Sequence, residues 1–384
     1  MRLSAPGIHK KKLLDFHWFI LSIIVIIIAI GLLNLRNADF YSEDSYHERQ
    51  LKWYLLGMVV GVIISVIDLH IISRFAYLIY GIGVLTLIAV LFTDPVNNSR
   101  RWLPILGEVV QPSEFMKIAL VLAVARMAND RRQARLMGER PTLFQLLWSA
   151  LLLFGPVGLI FAEPDLGTAI ILTMIGLSMI LFEGVHWRTL LTTLGVIALV
   201  FPLAWKFALH PYQKARVMVW WDADALRAKV ADHPELKPIL DKAYQPEQAV
   251  KAIASGRFYG KGGQQGHATR QRTLPYLHTD FVIATWSEER GFLGVVLLLM
   301  LYYLLVYWAL RVTKVARDHF QVLVAVGVAA TIFWQFFVNV GMVTGLLPVV
   351  GVALPLLSYG GSSVITICIG MGLLFNIAFR KRTT

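Results

Sequence analysis

The chain is almost without cysteine: its 384 residues include one, Cys368, in an apolar segment. A single cysteine excludes an internal disulfide and leaves the redox compartment unread. Charge is also sparse. Asp, Glu, Lys and Arg make up 16% of the chain, against about one quarter in soluble domains. There is no Walker loop, dinucleotide-binding glycine fingerprint, HExxH pair or Cys/His cluster, so the chemistries those motifs carry have no signal here. Apolar mass stands in their place. Hydrophobic residues are 57% of the chain and mean hydropathy is +0.63, the composition of a polytopic membrane protein.

The formal net charge of +12 does not point to nucleic acid. The basic residues are scattered between apolar segments, and the positive-inside rule accounts for them. A membrane helix needs about 20 mostly apolar residues. That rule predicts ten spans, near Trp18–Leu35, Trp53–Ile67, Phe75–Phe92, Phe115–Ala128, Leu143–Ala162, Leu166–Phe182, Leu190–Leu209, Phe281–Leu310, Val322–Val343 and Val364–Phe379. The basic run His9 to Lys12 opens the first. Phe16–Leu35 is too long for a signal peptide and no small-residue cleavage site follows, so a retained span is expected. Lysine and arginine collect in alternate loops: Lys10–Lys12, Arg74, Arg126–Arg140, Arg188, Arg311–Arg317 and Arg380–Arg382. Both termini are therefore expected in the cytoplasm.

On this topology a long loop, residues 210–280, lies outside, between the seventh and eighth spans. Asp222–Gln248 is charged and amphipathic and reads as one or two short surface helices. Ala249–Leu274 is rich in glycine, glutamine and cations, including Lys261. It reads as a flexible loop or as a strip whose amides and cations meet anionic groups. The loop ends in Leu274–Gly291, where His278, Thr279 and Asp280 stand at the membrane edge. A carboxylate there is costly unless it faces protein, a partner or water. Thr279 or Asp280 as a helix cap is the plain alternative.

Three more outer stretches are polar. Arg100–Lys117 puts Glu114 and Lys117 three residues apart on one helix face, where they can pair, with Pro112 before the helix and Ser113 as a candidate N-cap. Glu163 and Asp165 flank Pro164 at a tight turn. Asn339–Ser363 is apolar but broken by glycine and proline, and ends in Ser358-Tyr359-Gly360-Gly361. It is expected as a re-entrant or surface-lying loop, since irregular backbone is tolerated at membrane depth where it is buried or lines a cavity. Together these stretches predict an outward-facing polar cavity in an all-α bundle.

The same stretches carry a resemblance. RWLPILGEVVQPSEFMK, AEPDLGTA, HPYQKARV, LPYLHTDFVIA and the Asn339–Ser363 segment, in that order, resemble the blocks of the SEDS family (shape, elongation, division and sporulation). Pro348–Gly351 and Tyr212–Val217 look more like its RodA branch than its FtsW branch. The chain departs from the family pattern at Tyr276, where an acid usually follows the proline, and in a longer, more charged Asp222–Gln245. The resemblance covers nearly the whole of 1–384 as one transmembrane domain. It implies a peptidoglycan glycosyltransferase of the bacterial inner membrane that polymerises lipid II for cell elongation and rod shape, beside a class B penicillin-binding protein. It also implies that Asp280 is catalytic.

Those expectations fit the residues. A sugar hydroxyl must attack an anomeric carbon as a pyrophosphate leaves, with inversion. Asp280 is the best-placed base. Charge for the leaving group is expected from Lys117, more weakly from Arg100, Arg101, Arg216 or Lys261, or from a divalent cation (Mg²⁺ or Mn²⁺) held by Asp280 with Glu114. His278, Thr279 and Ser358 are expected to line the cavity. Two rivals stand beside this reading: a lipid II flippase, since helices with intramembrane charge suit transport, and a non-catalytic scaffold for the synthase.

Overall fold

The computed structural model describes residues 7–40, 45–94, 100–105, 107–134, 143–184, 195, 211–222, 244–271, 274 and 277–380. The expected span at Leu190–Leu209 and most of the charged loop, 223–243, lie outside them. The described helices are α1 (Gly7–Asp39), α2 (Tyr46–Val66), α3 (Leu69–Arg74), α4 (Ala76–Val90), α5 (Pro112–Ala134), α6 (Leu143–Ala162), α7 (Leu166–Phe182), α8 (Pro211–Trp221), α9 (Tyr244–Ser255), α10 (His267–Arg270), α11 (Val282–Val312), α12 (His319–Val343) and α13 (Gly361–Phe379). A short antiparallel hairpin, β1 (Leu103–Ile105) and β2 (Glu108–Val110), joins α4 to α5, with Leu103 opposite Val110.

This is a helical membrane-protein fold. By length and composition α2, α11, α12, α13 and the Trp18–Asp39 part of α1 are long and apolar enough to cross a bilayer; α4, α7 and the Trp148–Ala162 part of α6 are apolar but shorter. The centre is built from α5, α7, α12 and α13, which pack on one another. Outer helices show the reverse of a soluble pattern: on α2, Leu55, Val59, Val62 and Val66 are exposed. Such a surface is stable only against lipid or protein. Glycines let the backbones approach. Gly57 and Gly61 of α2 meet Cys368 of α13, and Gly372 of α13 meets the Gly61 carbonyl, the small-residue contact of membrane helix pairs.

Several expected boundaries move for local reasons. Pro112 is the first residue of α5 and does not precede it, and Ser113 is inside the helix. Proline suits that first position because its missing N–H is not needed there. Helix α12 starts at His319, ahead of the expected Val322, because Asp318 caps it by accepting from the Gln321 amide at 2.8 Å. It runs to Val343 and ends at Gly345, which has φ 79°. The first five residues of the expected Asn339–Ser363 loop are therefore helical. Its last three residues open α13, and the irregular stretch between, 344–360, is largely tucked into the protein: Val350, Val352, Leu354, Leu356 and Leu357 are all buried, so it is not surface-lying. Helix α11 is kinked at Gly291, φ 65°.

Candidate active site

Asp280 lies one residue before the N-cap of α11. That cap is Phe281, which has no side-chain capping hydrogen bond, so neither Thr279 nor Asp280 fills the capping position. The backbone around Asp280 is fixed from outside its own helix. Asn339 of α12 donates from Nδ2 to the Asp280 carbonyl at 3.0 Å and to the Val352 carbonyl at 2.6 Å. Ser358 donates from Oγ to the Thr279 carbonyl at 2.5 Å and accepts from the Leu354 amide at 2.9 Å. The Tyr359 amide donates to the His278 carbonyl at 2.7 Å. The His278 ring stacks on Tyr46, with centroids 4.1 Å apart.

These bonds hold two irregular segments, 277–281 and 344–360, against each other. The second is anchored in turn from below. Tyr54 donates to the Leu356 carbonyl at 2.7 Å, Tyr302 to the Pro355 carbonyl, and Gln50 both donates to the Ser358 carbonyl and accepts from the Gly360 amide at 3.1 Å. The half-buried Asp280 carboxylate faces Gly351: a Cβ there would lie 3.4 Å from Oδ2. Gly351 has φ 76°, which favours glycine.

Gly351 links Asp280 to the second polar cluster. Its carbonyl would be 3.2 Å from a Cβ at Gly167, in the first turn of α7, and the Val350 carbonyl 2.6 Å from the same atom. Asp165 caps α7, accepting from the Thr168 amide at 3.2 Å and hydroxyl at 2.9 Å. It also accepts from Gln111 Nε2 at 2.9 Å. Arg101 reaches the same turn, donating to the Pro164 carbonyl and standing 3.8 Å from Asp165. The Gln111 amide donates to Ser362 of α13 at 2.9 Å. One turn on, Lys117 and Glu114 form the expected ion pair at 2.7 Å, both buried in protein.

The sequence places Glu163 among the polar outer stretches, with a proline turn as its plain explanation, and does not single it out as a site residue. Its side chain is fully buried, and neither carboxylate oxygen has a hydrogen-bond partner among the described residues. Its signal was the one used for Asp280, an acid at the edge of a span. Ser113, Ser363 and Thr366 hydroxyls and Glu114 Oε2 are likewise buried without a partner among the described residues. Polar atoms so placed are normally met by water or ligand, which marks this end of the bundle as a polar interior.

Two expected sources of charge, Lys261 and Arg100, are engaged elsewhere. Lys261 is paired with Glu288 at 2.6 Å, and Glu288 also accepts from the His267 amide at 2.8 Å and Ser255 at 3.1 Å. Glu289 accepts from the Gln264 amide at 3.2 Å and from Asn37 at 2.6 Å. The anions met by the glycine-rich strip are thus the protein's own, and the strip clamps the start of α11. Arg216 belongs to α8, but its side chain lies outside the described residues. Arg100 is exposed and donates to the Leu91 carbonyl at 2.9 Å. Among the described residues no three of His, Cys, Asp or Glu converge as a metal would need.

Known proteins resemble this chain over most of its length. The family described as Cell cycle protein, FtsW/RodA/SpoVE, matches residues 12–383. The peptidoglycan glycosyltransferase MrdB of Escherichia coli (strain K12) is 36% identical over 336 residues, covering 87% of this chain and 86% of that protein. MrdB of Helicobacter pylori is 34% identical over 346 residues, 89% and 85% of the two chains. Among solved structures, a chain of a peptidoglycan synthase complex that coordinates polymerization and crosslinking superposes with a TM-score of 0.77 at 29% identity, covering 96% of this chain and 98% of that one. The rod shape determining protein RodA of Thermus thermophilus gives 0.68 at 26%, with the same coverage. With a family match from end to end and the Asp280, Glu114–Lys117 and Ser358 segments in place, the chain belongs to the FtsW/RodA/SpoVE family of cell cycle proteins, the SEDS family of its sequence motifs.

Proposed function

We infer that this chain is a peptidoglycan glycosyltransferase of the RodA kind, which polymerises lipid II into glycan strands for cell elongation. The observation that carries the site is Asp280: a half-buried carboxylate on backbone fixed by Asn339 and Ser358, facing Gly351. Such rigidity suits a general base, because near-attack geometry tolerates little displacement. In the step we assign, Asp280 takes the proton of the acceptor sugar hydroxyl. The freed oxygen bonds to the anomeric carbon of the donor from the face opposite the pyrophosphate. The C–O bond to pyrophosphate breaks and its electron pair leaves with the phosphate, so the anomeric centre inverts.

Arg101, 28% exposed at its side chain, supplies positive charge on the side of the α7 turn, and the Glu114–Lys117 pair supplies a buried field from α5. His278, Thr279 and Ser358 shape the mouth, and Lys261 acts at one remove by holding α11 through Glu288. A divalent cation would be held here by Asp280, since Glu114 is paired with Lys117 at 2.7 Å, and would supply charge that neutralises the leaving pyrophosphate.

Ten spans, both termini in the cytoplasm of the inner membrane, and an outer loop at 210–280 complete the reading. The partner is a class B penicillin-binding protein, in keeping with the likeness to a synthase complex that couples two activities.

Asp280→Asn tests the assignment. It preserves shape and removes the charge. Polymerisation of labelled lipid II by the purified complex should fall about 10²- to 10⁴-fold, with thermal unfolding in detergent unchanged. Near-normal glycan from a well-folded variant removes Asp280 as base and leaves the flippase and scaffold readings ahead.

A further inference from the structure

The turn Leu354-Pro355-Leu356-Leu357 leads into Ser358 and is closed by the Leu357 amide, which donates to the Leu354 carbonyl at 3.2 Å. Proline stands at its second place and Leu356, with φ 59°, at its third. A turn of that form asks for glycine or asparagine at the third place, because a residue with a Cβ enters the left-handed region at a cost. Here the place is taken by a leucine whose side chain is buried. A residue keeps such a conformation only where its surroundings over-determine it, and residues of this kind collect at active sites.

Three helices over-determine this one. Tyr54 of α2, fully buried, donates its hydroxyl to the Leu356 carbonyl at 2.7 Å. Tyr302 of α11, also fully buried, donates to the Pro355 carbonyl. Gly31 of α1 lets the pair come together: a Cβ there would lie 3.0 Å from the Tyr54 hydroxyl and 3.1 Å from the Leu356 carbonyl oxygen. Two residues past Leu356, Ser358 Oγ donates to the Thr279 carbonyl at 2.5 Å, and Asp280 is the next residue. Irregular backbone at membrane depth needs partners inside the protein, which accounts for a hydroxyl on each carbonyl. It does not account for a leucine held at φ 59° beside the serine that fixes the Asp280 backbone.

We propose that Tyr54 and Tyr302 are positioning residues for glycosyl transfer. Their hydroxyls lock the 354–357 turn in its left-handed form. Through Ser358 and Thr279 the turn then sets where the Asp280 carboxylate stands. Without either hydroxyl Leu356 relaxes to a negative φ, Ser358 shifts, and Asp280 moves from the acceptor hydroxyl. Substrate affinity stays, so the loss falls on kcat and not on KM. This assignment rests on Asp280 as the base and deepens that reading.

Tyr54→Phe and Tyr302→Phe each remove one oxygen. Tyr80→Phe is the control, since the Tyr80 hydroxyl donates to the Leu152 carbonyl at 2.9 Å, between α4 and α6. The purified complex polymerises labelled lipid II, and thermal unfolding in detergent is followed in parallel. In Tyr54→Phe and Tyr302→Phe, kcat should fall by up to about 10²-fold, the effect of a displacement of about 1 Å, with KM held. Tyr80→Phe should keep the native kcat. Added to Asp280→Asn, Tyr54→Phe should cost nothing further, because residues that act as a unit are not additive. A full further loss in that background overturns the assignment, as does a loss carried by KM or an equal loss in Tyr80→Phe. Native kcat in the folded tyrosine variants, with Asp280→Asn inactive, overturns this assignment alone. Near-normal activity of Asp280→Asn removes the base and this assignment with it. Failure of both tyrosine variants to fold also overturns it, since the hydroxyls would then serve the fold as a whole.

Discussion

Glu163 shows how much a single side chain can tie this site to pH. Burial, and then the like charge of Asp165, push its carboxyl up from the usual 4.5 to about 8, with Arg101 opposing them. The folded chain then keeps a proton that the unfolded chain releases above pH 4.5. Folding stability falls as pH rises through that window and levels off above about 8. The loss is of the order of 5 kcal/mol, given about 1.4 kcal/mol for each pH unit between 4.5 and 8. Glu163→Gln removes the titration, so the variant should unfold at the same temperature as the native chain near pH 4.5 and at a higher one by pH 8. A gap that does not change with pH would show that Glu163 does not titrate in this range. Asp280 was legible as a residue because an acid at a membrane edge needs a reason. Glu163 was less so, because a proline beside it offered a sufficient local one. Its burial is tertiary, at the junction where α6 packs on α7, which no local pattern encodes.

The helices themselves were largely legible, since long apolar runs leave few alternatives in lipid. Their ends were not, because caps and glycine stops moved them: Asp318 at the start of α12, Gly345 at its end, Gly291 within α11. The β1–β2 hairpin also went unread; strands of three residues carry almost no periodic signal. Packing between elements is set by contacts such as that of α2 with α13, which also carries the site: Gln50 and Tyr54 stand on α2 and hold the segment that ends in Ser358 and Gly360. The contact closes on backbone. A Cβ at Gly372 would lie 2.4 Å from the Gly61 carbonyl, whereas one at Gly81 on α4 meets nothing within 4 Å. Gly372→Ala should therefore cost about 1–3 kcal/mol, the usual range for overpacking, and loosen the Ser358 anchor with it. Gly81→Ala, in an open helical position, should be neutral or stabilising. Comparing their melting temperatures in detergent decides the matter; equal values would mean that the two helices do not close on Gly372.

At the scale of the whole chain, the glycine-rich strip, which reads as a flexible loop or as a strip that meets anionic groups, meets the protein's own carboxylates at the start of α11. Lys261, His267 and Gln264 bind Glu288 and Glu289. The backbones meet closely there: a Cβ at Gly291 would fall 2.3 Å from the Gly260 nitrogen. The clamp sits just where α11 kinks. Helix α11 has 31 residues, about 46 Å at 1.5 Å per residue, more than the ~30 Å of a bilayer core. From Gly291 to Val312 it is about 33 Å, so the kink divides a spanning part from a part buried in protein. The two ends of that span make the proposed orientation testable. Tyr259, 79% exposed, lies beside the clamp, and Lys314 is exposed just past the far end. Cys368 is buried and should give little background to a thiol reagent. In intact cells, Tyr259→Cys should react with a membrane-impermeant maleimide, and Lys314→Cys only after permeabilisation. The reverse pattern would invert the proposed topology and put Asp280 on the wrong side for an outer-face polymerase. Labelling of both from outside would show that α11 does not cross.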